Sequence, residues 1–160
     1  MAVLRDPALP AGIGQLGAIQ AVGPSLRIEV SAVNVRDTSE IEHAIAAFAR
    51  GTNGGLIVTQ SALATIHREL IVTLAARHRL PAVYNNRNFV TAGGLVSYGD
   101  DLANQDRLAA GYIDRILKGE KPADLPVQAP TKYELGHQPQ DRRGARSRSP
   151  AHAARPAPTR

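Results

Sequence analysis

Along the first 135 positions, apolar residues follow two alternating rhythms. Short apolar or alternating runs, which suit strands, give way to stretches where apolar residues recur every three to four positions, which suit helices. "AVLR" reads as a strand. Residues 12–22 follow as a small-residue helix carrying Ile13, Leu16, Ile19 and Gln20. "LRIEVSAVNV" alternates as a strand, and Asp37-Thr38-Ser39-Glu40 then opens a helix over 39–50. Asp37 with Glu40, or Ser39 with Glu42, is placed as a capping box. Ile41, Ile45 and Phe48 share one face of that helix, and Gly51 stops it.

"GGLIVTQ" is a short apolar strand of the kind covered on both faces of a sheet. A helix over 62–78 carries Ile66, Leu70, Ile71 and Leu74. "LPAVYNN" is the next strand and its loop, "GGLVSYG" a further strand. A helix over 102–118 shows Leu108, Tyr112, Ile113 and Ile116 on one side. The Pro-rich "KPADLPVQAP" is an extended connector, and "TKYEL" is a last strand. Residues 1–118 therefore read as an α/β lobe with its crossover, and 119–135 as connector and last strand. The alternation predicts a doubly wound parallel sheet with right-handed crossovers, whose ligands sit beyond the carboxyl ends of the strands.

Charge changes this picture only at the end of the chain. The formal charge is +5, yet residues 1–135 hold equal numbers of basic and acidic side chains. The excess sits in 136–160, where six arginines (Arg142, Arg143, Arg146, Arg148, Arg155 and Arg160) face Asp141 alone. That segment has no Val, Ile, Leu, Met or aromatic residue. It cannot bury enough apolar surface to offset ordering, so 136–160 is expected to be a disordered basic tail. The basic balance belongs to the tail, and no nucleic-acid partner is expected for the lobe. There is no cysteine, which removes disulfide and thiol chemistry, and no apolar run approaches the roughly 20 residues of a bilayer span.

Candidate chemistry begins with Gly12-x-Gly14-x-x-Gly17, the spacing of a dinucleotide-binding turn, with Asp37 twenty residues after Gly17. That turn needs its first glycine at the strand's end, whereas Asp6 to Ala11 separate Gly12 from "AVLR". The glycines read better as letting a helix start and pack closely on its sheet, and Asp37 as a cap. A nicotinamide-dependent oxidoreductase domain using Gly12, Gly14 and Gly17 is the alternative reading; the preferred one needs no cofactor. His43, His67 and His78 lie on predicted helices without metal-ligand spacing, and their expected place is an exposed face. Ser97 lacks the spacing of a nucleophile turn, and Glu40 and Glu42 suit a helix start. No constellation demands an enzyme. The strand ends supply Asp6, Thr59-Gln60-Ser61, Tyr84-Asn85-Asn86-Arg87 and Tyr98: hydroxyls, amides and two aromatics that could hydrogen-bond and stack on a small solute.

Five stretches carry a family resemblance: "AVLRDPALPA", "GGLIVTQSAL", "LIVTLAARHRLPAVY", "FVTAGGLVSYGDD" and "AAGYIDRILKGEKPADLPVQAPTKYEL". Over 1–135 the chain resembles ABC-transporter substrate-binding proteins of type I periplasmic-binding architecture, in the branch that includes binders of tryptophan and other amino acids. The resemblance implies a solute-binding component of an importer, with a membrane permease as partner. It also implies two α/β lobes joined by hinge strands, of which this chain corresponds to the second, and a periplasmic location. Without a signal segment, the chain as given is expected to stay cytoplasmic. By the same resemblance Asp6, Thr59, Gln60, Ser61, Tyr84, Asn85, Ser97 and Tyr98 fall on loops facing the cleft.

In such proteins the segment after "PTKYEL" continues in the manner of V-I-N-L-K-T-A. Permitted codons for Gly136 to Arg142, read one base downstream, give V-I-N-L-K-T. "RGARS" and "HAARP" likewise yield A-A-A-L-G-L and T-L-L-A-R. The tail is therefore expected to be an out-of-frame translation carrying no function. Sequencing the gene across codons 130–160 should reveal the V-I-N-L-K-T reading one base out of frame. In-frame occurrence of "GHQPQDRRGARSRS" in close relatives would contradict it.

Overall fold

The computed structural model describes residues 1–138. Six strands and six helices follow one another as β1 (Ala2–Arg5), α1 (Pro10–Val22), β2 (Ser31–Asn34), α2 (Thr38–Phe48), β3 (Leu56–Val58), α3 (Ala62–Ile66), α4 (Arg68–Arg77), β4 (Ala82–Tyr84), α5 (Arg87–Thr91), β5 (Val96–Asp100), α6 (Leu102–Leu117) and β6 (Tyr133–His137). The strands form one sheet in the order β2-β1-β3-β4-β5-β6. β1 to β5 are parallel and β6 is antiparallel to β5. The expected α/β sheet is therefore present, with one reversed edge strand.

The reversal has a plain cause. β5 ends at Asp100, which pairs with Tyr133 at the start of β6. The Asp101 amide donates to the Lys132 carbonyl at 3.0 Å. The chain thus leaves and re-enters the sheet at the same carboxyl edge, and a strand that returns to the edge it left must run backwards. Helix α6 rides on this excursion, not on the sheet, and none of its residues is buried. Tyr112, on its apolar side, donates its hydroxyl hydrogen bond to the Pro126 carbonyl of the connector at 2.6 Å.

Side chains alternate between the two faces of each strand. In-register neighbours Leu4, Val58, Tyr84 and Ser97 form a row on one face, with Ala2, Leu56 and Ala82 beside it. Ile41 and Ile45 of α2, Ile71, Val72, Leu74 and Ala75 of α4, and Phe89 of α5 complete that core. The Phe89 ring stacks on Tyr84 with centroids 4.9 Å apart. The other face is closed at Val3 but open toward β6, where Val83, Tyr98, Tyr133 and Leu135 are exposed.

Helix starts follow local chemistry. The Glu40 amide donates to Asp37 Oδ1 at 2.8 Å while Glu40 Oε2 accepts from the Arg36 amide at 2.8 Å, so the Asp37–Glu40 alternative for the α2 cap is the one formed. Four expectations shift. The long strand over 26–35 shortens to Ser31–Asn34, because β1 offers only Ala2–Arg5 to pair with and Gly23–Leu26 coils as a 3-10 turn. The helix over 62–78 divides at His67, whose ring lies half-buried with Nε2 3.3 Å from Thr38 Oγ1. Helix α5, not expected from the pattern, forms on the Asn86 cap, whose side chain accepts from the Asn88 amide at 3.0 Å. β6 runs through Gly136 and His137, two residues past the expected end of the connector segment. The rest of the basic tail, from residue 139, lies outside the described residues.

Removing the Phe89 ring should cost stability on the scale of a buried aromatic. Phe89→Ala is expected to lower unfolding free energy by about 3–5 kcal/mol in urea titration. Leu117→Ala, at a side chain 81% exposed, should change it by less than about 0.5 kcal/mol. Equal effects would contradict the assignment of the core.

Candidate functional site

The carboxyl edge of β1, β3 and β4 is assembled by short hydrogen-bonded turns. After β1, Asp6 Oδ1 accepts from the Ala8 amide at 2.9 Å, shaping the turn into α1 at Pro10. Gly12, in the first turn of α1, is buried: a Cβ there would stand 3.5 Å from the Asp6 carbonyl and 3.7 Å from Thr59 Oγ1. Gly14 and Gly17 face open space, with nothing within 4 Å of a would-be Cβ. Only the first of the three glycines serves close packing, which corrects the expectation for the other two. That glycine sits inside a helix, not in a tight turn at the strand's end.

After β3, Thr59 is buried and its hydroxyl donates to the Leu4 carbonyl at 3.0 Å, tying β3 to β1. Ser61 is also buried and caps α3, accepting from the Ala64 amide at 3.0 Å. Between them Gln60 is exposed, and its amide donates to Gln15 Oε1 at 3.2 Å. Gln15 is a residue of this edge that the sequence reading missed. The available signal was its chemistry, since Gln15 and Gln20 are the only polar side chains of α1.

Past β4 the backbone folds hard against β5. A Cβ on Gly99 would lie 1.7 Å from the Asn85 carbonyl oxygen, so only glycine permits this approach. Asn85 sits half-buried, and its Oδ1 is fully buried without a hydrogen-bond partner among the described residues. Asn86 is spent on capping α5, and Arg87 lies 3.9 Å from Glu134 of β6.

The structure divides the sequence-predicted set. Asp6, Gln60 and Asn85 follow the adjacent strands β1, β3 and β4 at the carboxyl edge, and Thr59 and Ser61 are buried there. Tyr84 is 2% exposed and turned into the helix-covered core, where burial pushes its hydroxyl pKa up to about 12. Ser97 shares that face, and its Oγ is buried without a partner among the described residues. Tyr98, the next residue, necessarily points the other way; it is 60% exposed and stacks on Tyr133 at 5.9 Å. The two tyrosines expected to flank one ligand therefore lie on opposite faces of the sheet. Among the described residues no three His, Cys, Asp or Glu side chains cluster as metal ligands, and no helix is long and apolar enough to cross a membrane.

The family model described as ABC transporter substrate binding protein matches residues 3–135. The chain belongs to this family. No curated protein matches the sequence. Among solved structures, a conserved domain protein from Vibrio cholerae is similar with a TM-score of 0.76 at 18% identity, covering 85% of this chain and 46% of that one. An ABC domain in complex with L-Trp from Streptococcus pneumonia gives a TM-score of 0.75 at 20% identity, covering 84% and 46%. The ligand-free, open form of a substrate-binding protein with adhesive properties from Clostridium difficile gives 0.60 at 17% identity, covering 84% and 45%. These likenesses show a shared fold. The chain spans a little under half the length of each solved relative.

The buried Tyr84 hydroxyl gives a pH signature. The folded chain keeps its proton up to about 12, against an ordinary value of 10. The stability this contributes is present below pH 10 and is lost as pH rises from 10 through 12. Comparing urea midpoints at about pH 9 and about pH 11.5, Tyr84→Phe should lose less stability than the unchanged chain. Equal losses would show that Tyr84 is not held neutral by burial.

Proposed function

We propose that this chain is one lobe of the solute-binding component of an ABC-type importer, a non-enzymatic module that takes a small solute at the carboxyl edge of its sheet. The observation that carries the proposal is Asn85 Oδ1, a buried acceptor with no partner among the described residues, placed where β4 leaves the sheet. A buried acceptor left empty costs free energy of about 1–3 kcal/mol, which a solute donor would offset. Asp6 and Gln60 flank it with a carboxylate and an exposed carboxamide, Thr59 and Ser61 hold the edge, and Tyr84 and Ser97 support it from the core face. Tyr98 with Tyr133 offers an aromatic shelf where the α6 excursion departs.

An amino acid is the solute class we favour. Its ammonium suits the Asp6 carboxylate, and the similar ABC domain from Streptococcus pneumonia holds L-Trp. We assign the other half of the clamp to a further lobe, because this chain spans 46% of its solved relatives and the apolar side of α6 lies uncovered. Closure of two lobes on the solute, followed by handover to a membrane permease outside the cytoplasm, completes the reading.

Calorimetric titration of the 160-residue chain with L-Trp and other amino acids tests it, against the same chain joined to a first lobe from a family member. The chain alone should bind weakly and the joined protein tightly. Asp6→Ala or Asn85→Ala should weaken the joined protein by about tenfold or more. Equal tight binding by the single lobe would overturn the clamp. Saturable NAD binding abolished by Gly14→Val would instead favour a dinucleotide site.

A further inference from the structure

A second cleft lies at the other end of the sheet, where β4 and β5 begin. It measures about 340 Å³, at the small end of ligand pockets, and opens between α4 and the turn into β5. Val72, Ala75, Ala76, Leu80 and Leu95 make apolar walls, and Tyr84 stands among them. A Cβ on Gly94 would fall 2.6 Å from Tyr84 Cε2, so the glycine presses the turn against the ring. Two polar side chains border the cleft, Arg79 and Gln138.

Arg79 is the informative residue. It follows α4 in the left-handed region, at φ 53, where the Leu80 amide donates back to the Ala75 carbonyl at 2.9 Å and the Arg79 amide to Ala76 at 3.1 Å. Glycine is the residue that fits such a helix end without strain. An arginine there bears a conformational cost, and strain tolerated at a pocket points to use of the side chain. Among the described residues its guanidinium enters none of the ion pairs. An unpaired cation at the edge of an apolar cleft matches one anionic head on a short apolar body.

We propose that this cleft binds a small monocarboxylate with a compact apolar tail, the carboxylate on Arg79 and the tail against Leu80, Leu95 and the α4 alanines. The cleft lies at the opposite end of β4 from Asp6, Gln60 and Asn85, with Tyr84 common to both.

Benzoate is the probe, with benzyl alcohol as its uncharged counterpart, titrated calorimetrically into the full chain. Benzoate should bind saturably, at least about tenfold more tightly than benzyl alcohol. Arg79→Gly should weaken benzoate by about tenfold or more while leaving Tm unchanged or raised, since glycine relaxes the left-handed position. Ala76→Phe, on the solvent side of the wall, should block the cleft and abolish binding. Asn85→Ala, at the opposite edge, should leave benzoate binding intact. Absence of saturable benzoate binding, or binding unaffected by either cleft substitution, would overturn the proposal.

Discussion

The antiparallel return of β6 on β5, closed by the hydrogen bond from the Asp101 amide to the Lys132 carbonyl, sets the plan of the β5–α6–β6 part of the molecule. By pinning the two ends of the α6 excursion side by side, it keeps α6 off the sheet. Apolar side chains on the reverse of the sheet and along α6 are then left exposed. The core face is closed by α2, α4 and α5, whereas Tyr98, Tyr133 and Leu135 on the reverse of β5 and β6 remain exposed, as do Leu108, Ile113 and Ile116 of α6. Contiguous exposed apolar surface of this kind marks an interaction face. The similar solved structures are about twice this length.

The edge itself is a compromise between cohesion and availability. Thr59 and Ser61 spend their hydroxyls on Leu4 and on the α3 cap, so they fix the backbone and are not left for a ligand. Asn85 is different. Its carbonyl is drawn onto β5 by the missing side chain of Gly99, and its Oδ1 is carried into a buried position without a partner among the described residues. The physical distinction between a turn residue and a ligand residue lies in whether its polar atoms are already satisfied.

Much of the fold was legible because parallel strands buried on both faces read as apolar runs, as in "AVLR" and "GGLIV", and because Asp37 and Glu40 announce a cap. The family motifs placed the resemblance over 1–135, close to the matched 3–135. Less legible was what depends on three-dimensional partners. Helix α5 is only Arg87–Thr91, too short to show a period, and its signals were the Asn86 cap and Phe89 before a Gly-Gly turn. The kink at His67 has neither proline nor glycine to announce it; its imidazole lies beside Thr38, distant in sequence. Side-chain direction escaped too. Tyr84 ends β4 and Tyr98 lies mid-way along β5, and register decides that one enters the core and the other faces out. Gln15 reaches the edge only through the packing of α1 over β3.

The central claim is that the α6 excursion is built to be covered by a further lobe. Hydrogen exchange at the amides of Leu102–Leu117 tests it most directly. In the chain alone these amides should exchange far faster than those of α4, whose apolar side is buried. Joined to a first lobe, α6 should gain protection comparable to α4. Protection of α6 equal to α4 in the isolated chain, with no change on joining, would contradict the account.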